Sequence, residues 1–146
     1  MMQKENRFNK LVQMMLSMYR GGGAKRLVSL ILARYLRIVY QCEIPARANI
    51  EKGVYFCNRG FGIVVNPGTS IGEGTIIQHR ATFGEIEGKA PTVGKNVYIG
   101  ANALILGNIQ IGDNSKIGAG AVVIKDVPPG CTAVGNPSRI VNKCNN

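Results

Sequence analysis

Residues 99–124 read IGANALILGNIQIGDNSKIGAGAVVI, and an isoleucine or valine returns at every sixth place: Ile99, Ile105, Ile111, Ile117 and Val123. An α-helix repeats every 3.6 residues and a half-buried strand every two, so a period of six belongs to neither alone. It marks a repeat architecture in which each unit is one short strand and one turn. Working backward, the period runs through Val93, then through Val65, Ile71, Ile77 and Phe83, and before those through Ile44, Ile50 and Phe56. Phe56 to Val65 is nine residues, a hexad plus three, and Phe83 to Val93 is ten, a hexad plus four. Each break predicts a protruding loop.

Glycine follows the anchor at positions 72, 84, 94, 100, 112 and 118, where the backbone bends. Small or β-branched residues recur four places after most anchors, among them Ala48, Thr69, Ala81, Ala103 and Ala121. Three hexads close one triangular coil of 18 residues, and coils stack at strand spacing, about 4.8 Å. The fold class is therefore an all-β parallel solenoid. If both breaks bulge outward without changing the count of faces, Phe56, Ile77, Ile99 and Ile117 share one face. Two residues beyond each is a corner, so Asn58, His79, Ala101 and Ala119 are predicted to form one vertical column.

The whole chain of 146 residues suits a single domain. Nineteen glycines, no tryptophan and 18% charged residues point away from a helical bundle, and no Gly-X-Y or Pro-rich tract suggests collagen or disorder. Cys42, Cys57, Cys131 and Cys144 form no C-x-x-C pair, so no zinc ribbon or redox motif can be written and no metal is expected. The simplest location is a reducing cytoplasm. Of the net charge of +10, residues 1–47 carry nine Lys or Arg against two Glu. No helix-turn-helix, RNP-like or zinc-finger motif accompanies that charge, and nucleic acid is not expected as a partner.

Ahead of the solenoid the spacing turns helical. Phe8, Leu11, Val12, Met15 and Tyr19 share one face, Leu27, Ile31, Tyr35 and Ile38 another, and Gly21 to Gly23 separates the two helices. Arg26, Arg34 and Arg37 fall in one arc opposite the second stripe, a pattern that fits packing within the protein's own assembly or peripheral contact with a membrane surface through residues 1–43. Lys4, Arg7 and Lys10 precede an apolar run as in a signal peptide, but Gln13 and Ser17 interrupt it and no A-x-A site follows, so export is not expected. The boundaries expected are 1–43 for basic amphipathic helices, 44–141 for the solenoid and 142–146 for a tail.

His79 is the chain's single histidine. Moving an acyl group from a thioester to a hydroxyl needs a base, a donor for the oxyanion and positioning of both reactants. Imidazole suits the first role because its ordinary pKa lies near working pH. A lone histidine in a turn is equally a solvated, idle one. Its place in the column is what singles it out.

The segments IGANALILGNIQIGDNSKIGAGAVVIKDVPPG, from residue 99, and AVGNPSRIV, at 133–141, resemble hexapeptide-repeat acyltransferases. The branch is the serine acetyltransferase-like one, which includes surface-polysaccharide O-acetyltransferases. The resemblance implies a left-handed parallel β-helix, a homotrimer, and acetyl-CoA as acetyl donor in clefts between subunits. It places Ala101 and Ala119 where main chain meets the pantetheine arm. Lys125 and Arg139, at the basic end of the coil, suit the cofactor's phosphates, and fit a solvated rim equally well. Relatives carry a catalytic histidine just before a GxGIVI-like segment, where this chain has Asn58 or Arg59, and serine acetyltransferases carry another before the proline of the 84–93 loop, where this chain has Ala90-Pro91. The Ile76–Gly84 segment looks like the I-x-H-x-V-T-I-G segment of some polysaccharide enzymes, and matches at His79.

Three readings of the site follow. His79 is the sole base, with Asn58 or Arg59 orienting the acceptor or stabilising the oxyanion; Arg59 binds an anionic acceptor; or activity is lost. Gamma-class carbonic anhydrases need three histidines per zinc, and sugar nucleotidyltransferases need a nucleotide-binding domain that 43 residues cannot supply. The loop with Glu85, Glu87 and Lys89 covers the acceptor or is only a surface loop. Because the relatives' histidines and their longer helical region are not found, the expected acceptor is a small-molecule or oligosaccharide sugar hydroxyl in surface polysaccharide synthesis, the short basic N-terminus suiting lipid-linked substrates at the inner membrane. The alternatives are a serine O-acetyltransferase of cysteine biosynthesis or an inactive trimeric scaffold.

Overall fold

The computed structural model describes residues 6–142. Lys4, Cys144 and the tail beyond Asn142 lie outside them. Helices α1 (Arg7–Arg20) and α2 (Gly23–Tyr40) come first. Strands β1 (Asn49–Ile50), β2 (Tyr55–Phe56), β3 (Val64–Val65), β4 (Ser70–Ile71), β5 (Ile76–Ile77), β6 (Thr82–Gly84) and β7 (Thr92–Val93) follow. The chain then forms β8 (Tyr98–Ile99), β9 (Leu104–Leu106), β10 (Gln110–Ile111), β11 (Lys116–Ile117), β12 (Val122–Val123), β13 (Thr132–Val134) and β14 (Arg139–Asn142).

These strands make three faces of a parallel solenoid: β1-β4-β7-β10, β2-β5-β8-β11-β13 and β3-β6-β9-β12, with β14 antiparallel on the end of the second. The register pairs Phe56 with Ile77, Ile77 with Ile99, Ile99 with Ile117, and Ile117 with Ala133. All thirteen sixth-place anchors are buried, none above 3% exposed. The residues four places on, including Thr75, Ala81, Val97 and Ser115, form a second inward row. Two of its hydroxyls turn back on the backbone, Thr75 Oγ1 donating to Gly94 O at 2.9 Å and Ser115 Oγ to Gly112 O at 2.7 Å, while Thr69 Oγ1 is buried without a partner among the described residues.

The two breaks bulge as expected. Cys57–Gly60 forms a short 3-10 turn, and the second loop is a tight hairpin with Ile86 and Lys89 exchanging main-chain bonds at 3.0 Å. Neither changes the order of faces. With the three and four extra residues of the two loops set aside, the lap is 18 residues until the last coil, where sixteen positions separate Ile117 from its partner Ala133.

Helix α1 lies across the open first coil. Asn6 caps it by accepting from Asn9 N at 2.9 Å, and Phe8, Val12, Met15 and Leu16 are buried. The strand edges beneath it carry unpaired backbone groups, and α1 supplies partners. Asn9 Oδ1 accepts from Phe56 N at 2.9 Å while Asn9 Nδ2 donates to Phe56 O at 3.4 Å. Arg20 donates to Ile50 O at 2.9 Å and Gln13 to Glu51 O at 3.2 Å.

Helix α2 docks by a face other than its apolar stripe. It buries Ser29 and Leu36, while Leu27, Ile31, Tyr35 and Ile38 are 64%, 62%, 47% and 73% exposed. Its apolar stripe faces away from its own chain. Two of its three arginines are held locally: Arg26 donates to the Tyr19 hydroxyl at 3.0 Å and Arg37 pairs with Glu43 at 3.7 Å. Among the described residues no helix is long and apolar enough to cross a membrane.

Candidate active site

The corner after the second face carries the predicted column. Asn58, His79, Ala101 and Ala119 each sit two residues beyond paired strand ends, and Asn58 Nδ2 lies 2.9 Å from His79 Nδ1. The main chain ties the levels together: Asn102 N donates to His79 O at 3.1 Å and Gly120 N to Ala101 O at 2.8 Å. The N–H groups of Ala101 and Ala119 themselves have no partner among the described residues. Two methyl side chains and two free amides leave room for an extended ligand to run along the backbone.

The lower level owes its shape to the three extra residues of the first break. Asn58 (φ 49, ψ 38) and Arg59 (φ 56, ψ 32) are consecutive left-handed residues. Asparagine tolerates that region and arginine does not favour it. The turn is pinned from outside by Phe61 N donating to Asn58 O at 3.3 Å and Gly62 N to Gln41 O at 3.1 Å.

The pair's chemistry depends on the amide's orientation. With Nδ2 donating to Nδ1, the neutral imidazole carries its proton on Nε2. A half-turn of the amide brings Oδ1 to the same point, where it accepts Nδ1–H and frees Nε2 to take a proton. Both orientations fill the same volume. Cys57, next to Asn58, is a buried free thiol whose burial raises its pKa, which removes it as a ready nucleophile.

The remaining predicted residues are not all gathered here. Arg59 is exposed on the same turn as Asn58. Arg139 pairs with Val134 at the end of the same face. Lys125 lies past β12, at the next corner round. The loop with Glu85, Glu87 and Lys89 also leaves from that next corner, between β6 and β7. Sequence reasoning missed Asn9, whose position beside Phe8 on the buried face of α1 was the available signal, and Tyr40, which packs edge-on against Phe8 with ring centroids 5.0 Å apart.

A parallel six-residue solenoid with an imidazole on a corner and a free-amide track above it defines the hexapeptide-repeat acyltransferase class. The family described as bacterial transferase hexapeptide (six repeats) matches residues 90–125. Serine acetyltransferases from Helicobacter pylori and Synechococcus elongatus are each 40% identical, over 77% and 76% of this chain and 67% and 47% of their own. Among solved structures, soybean serine acetyltransferase complexed with serine has a TM-score of 0.81 and 38% identity, covering 92% of this chain and 56% of that one. A serine acetyltransferase in complex with CoA has a TM-score of 0.81 and 32% identity, covering 92% and 55%. The chain belongs to the hexapeptide-repeat acyltransferases and, within them, to the serine acetyltransferase family. It spans about half the length of several of the relatives it matches.

The expected polysaccharide acceptor is overturned by these relatives, which at 35–40% identity are serine acetyltransferases. That expectation rested on the relatives' histidines, not found at Asn58 or Arg59 or at Ala90, and on their longer helical region. A missing side chain holds no sugar, so it selects none.

Proposed function

We propose that the chain is an acetyl-CoA-dependent serine O-acetyltransferase, the activity named for its relatives. The observation that carries the chemistry is the 2.9 Å Asn58–His79 pair at the foot of the column. With Asn58 Oδ1 accepting Nδ1–H, His79 Nε2 takes the proton of the acceptor hydroxyl as its oxygen attacks the thioester carbonyl. The tetrahedral intermediate collapses with the C–S bond breaking, and the imidazolium returns the proton to the CoA sulfur. The free N–H groups of Ala101 and Ala119 hydrogen-bond the cofactor's extended arm, and Arg139 lies at the end of the same face for its phosphates. Lys125, one corner away, serves that role only across a subunit boundary.

The exposed stripe on α2 supports self-association, with a homotrimer as the assembly, since burying four large apolar side chains on a copy of the chain removes them from water. Sedimentation of the purified protein tests this, and binding to anionic vesicles at low salt would assign the stripe to a membrane surface instead.

Release of free CoA thiol from acetyl-CoA, with and without L-serine, tests the activity. His79→Ala is expected to lower the serine-dependent rate by roughly 100- to 10,000-fold. A rate within a few-fold of the unmutated protein removes His79 as base, and no serine-dependent release removes the acceptor.

A further inference from the structure

A cavity of about 560 Å³ lies away from the column, at the other end of β2, and is lined by Gln13, Leu16, Ser17, Arg20, Lys52 and Gly53. That volume is within the range of small-ligand sites. The four α1 residues recur at helical spacing, so one face of the helix makes one wall. The Lys52–Gly53 turn, between β1 and β2, makes the other.

The walls carry two cations and no carboxylate. Arg20 is held in place, yet both its bonds, to Ile50 O at 2.9 Å and Asn49 Oδ1 at 3.4 Å, leave from Nη2, so Nε and Nη1 are unengaged. What sets this basic spot apart from the protein's other exposed arginines and lysines is the turn it faces. Ile50, Ile71 and Val93 stack in register, so Lys52, Glu73 and Lys95 occupy the same corner on successive coils. On the two later coils a carboxylate covers the corner amide: Glu73 N donates to Glu51 Oε2 at 3.0 Å and Lys95 N to Asp113 Oδ1 at 2.7 Å. On the first coil the N–H groups of Lys52 and Gly53 have no partner among the described residues. Glu51 is engaged with the next coil, and α1, which covers the first coil here, contains no Asp or Glu.

We propose that this cavity binds a compact dianion, a phosphate or a small dicarboxylate, at a site separate from the column. The oxyanion takes over the Lys52–Gly53 amides the place that the Glu51 and Asp113 carboxylates take over the later ones. Bonds to an anion from backbone N–H, ammonium and guanidinium donors are charge-assisted, roughly twice as strong as neutral ones. Two positive charges and no negative one in the walls favour a doubly charged ligand over a singly charged one. The ligand touches α1 and the first coil together, the two elements that Asn9 joins at Phe56, so binding also holds the helix to the solenoid.

Calorimetric titration with inorganic phosphate and, separately, with succinate tests this, at fixed ionic strength and with and without saturating CoA. At least one anion is expected to bind with a dissociation constant below about 1 mM and to raise the melting midpoint as its concentration rises. Phosphate alone assigns the site to phosphorylated ligands, and succinate alone to carboxylates; either sustains the proposal. Lys52 is exposed and its side chain has no partner, so Lys52→Gln keeps the fold while removing one charge, and is expected to weaken binding about tenfold. Arg20→Lys keeps a donor for Ile50 O, loses the fork, and weakens the same anion. No binding of either anion overturns the proposal, and so does binding that Lys52→Gln leaves within about twofold. Binding that CoA displaces assigns the anion to the cofactor's phosphates and overturns it equally.

Discussion

Asn9 is a polar residue buried inside a helix, 3% exposed, and its amide makes a two-way bond to a strand edge. Replacing it with leucine keeps the volume and removes both bonds. The buried Phe56 N–H loses its 2.9 Å partner and the carbonyl its 3.4 Å partner, since no other group bonds either. A net loss of about 1 kcal/mol for the bonds, and about 1–3 kcal/mol for leaving the N–H unsatisfied, gives roughly 2–4 kcal/mol. For a chain of this length that lowers the melting midpoint by roughly 6–12 °C. Asn9→Asp keeps an acceptor for the N–H but faces the carbonyl with a second oxygen, and falls between. Thermal melts give the stability, and amide exchange at Phe56 gives the local cause. A leucine variant within about 0.5 kcal/mol of the parent, with Phe56 protected as before, refutes the clamp.

Gly100→Ala tests the stacking of the column: its Cβ would meet Ala119 N at 2.5 Å and Gly118 C at 2.7 Å, backbone atoms that cannot swing aside. Urea unfolding is expected to show a loss of at least about 2 kcal/mol. Burial pushes the Cys42 thiol up to about 11, opposed by its own backbone hydrogen bonding. An unfolded thiol ionises near 8.5, so above that pH the unfolded chain sheds the proton first and stability falls until the folded thiol also titrates. Cys42→Ala is expected to flatten the decline in urea midpoint between about pH 8 and pH 10 relative to the parent, and an equal decline in both refutes this.

The solenoid was readable because one inward residue per hexad is a purely local requirement, met by Ile, Val or Phe at all thirteen anchors. The column was readable for the same reason: counting fixes which corner a residue occupies, and in-register pairing of Phe56, Ile77 and Ile99 does the rest. The face that α2 buries was not readable. Its stripe at Leu27, Ile31, Tyr35 and Ile38 is more apolar than the side that docks, and which side docks depends on where α1 and the first coil lie. Tyr40 escaped for a related reason, since only the tertiary packing of the two helices puts it against Phe8. The acceptor was misjudged because absence at Asn58 was read as a preference.

The resemblance puts the relatives' histidine at Asn58 or Arg59, while this chain carries its imidazole at His79, one coil further along. Corner positions on adjacent coils are about 4.8 Å apart, and the 2.9 Å contact shows that the two side chains already meet across that step. A base displaced by one level still reaches a reacting centre lying between the levels, provided its neighbour fixes the ring. The pair is then defined by two adjacent levels rather than by which one holds the imidazole. Exchanging them, Asn58→His with His79→Asn, keeps both groups and reverses their order. We expect the double variant to recover at least about tenfold of the rate lost in His79→Asn alone, in the same thiol-release assay. A double variant as slow as the single one would show that the imidazole's level matters, and that Asn58 is a neighbour of the site rather than half of it.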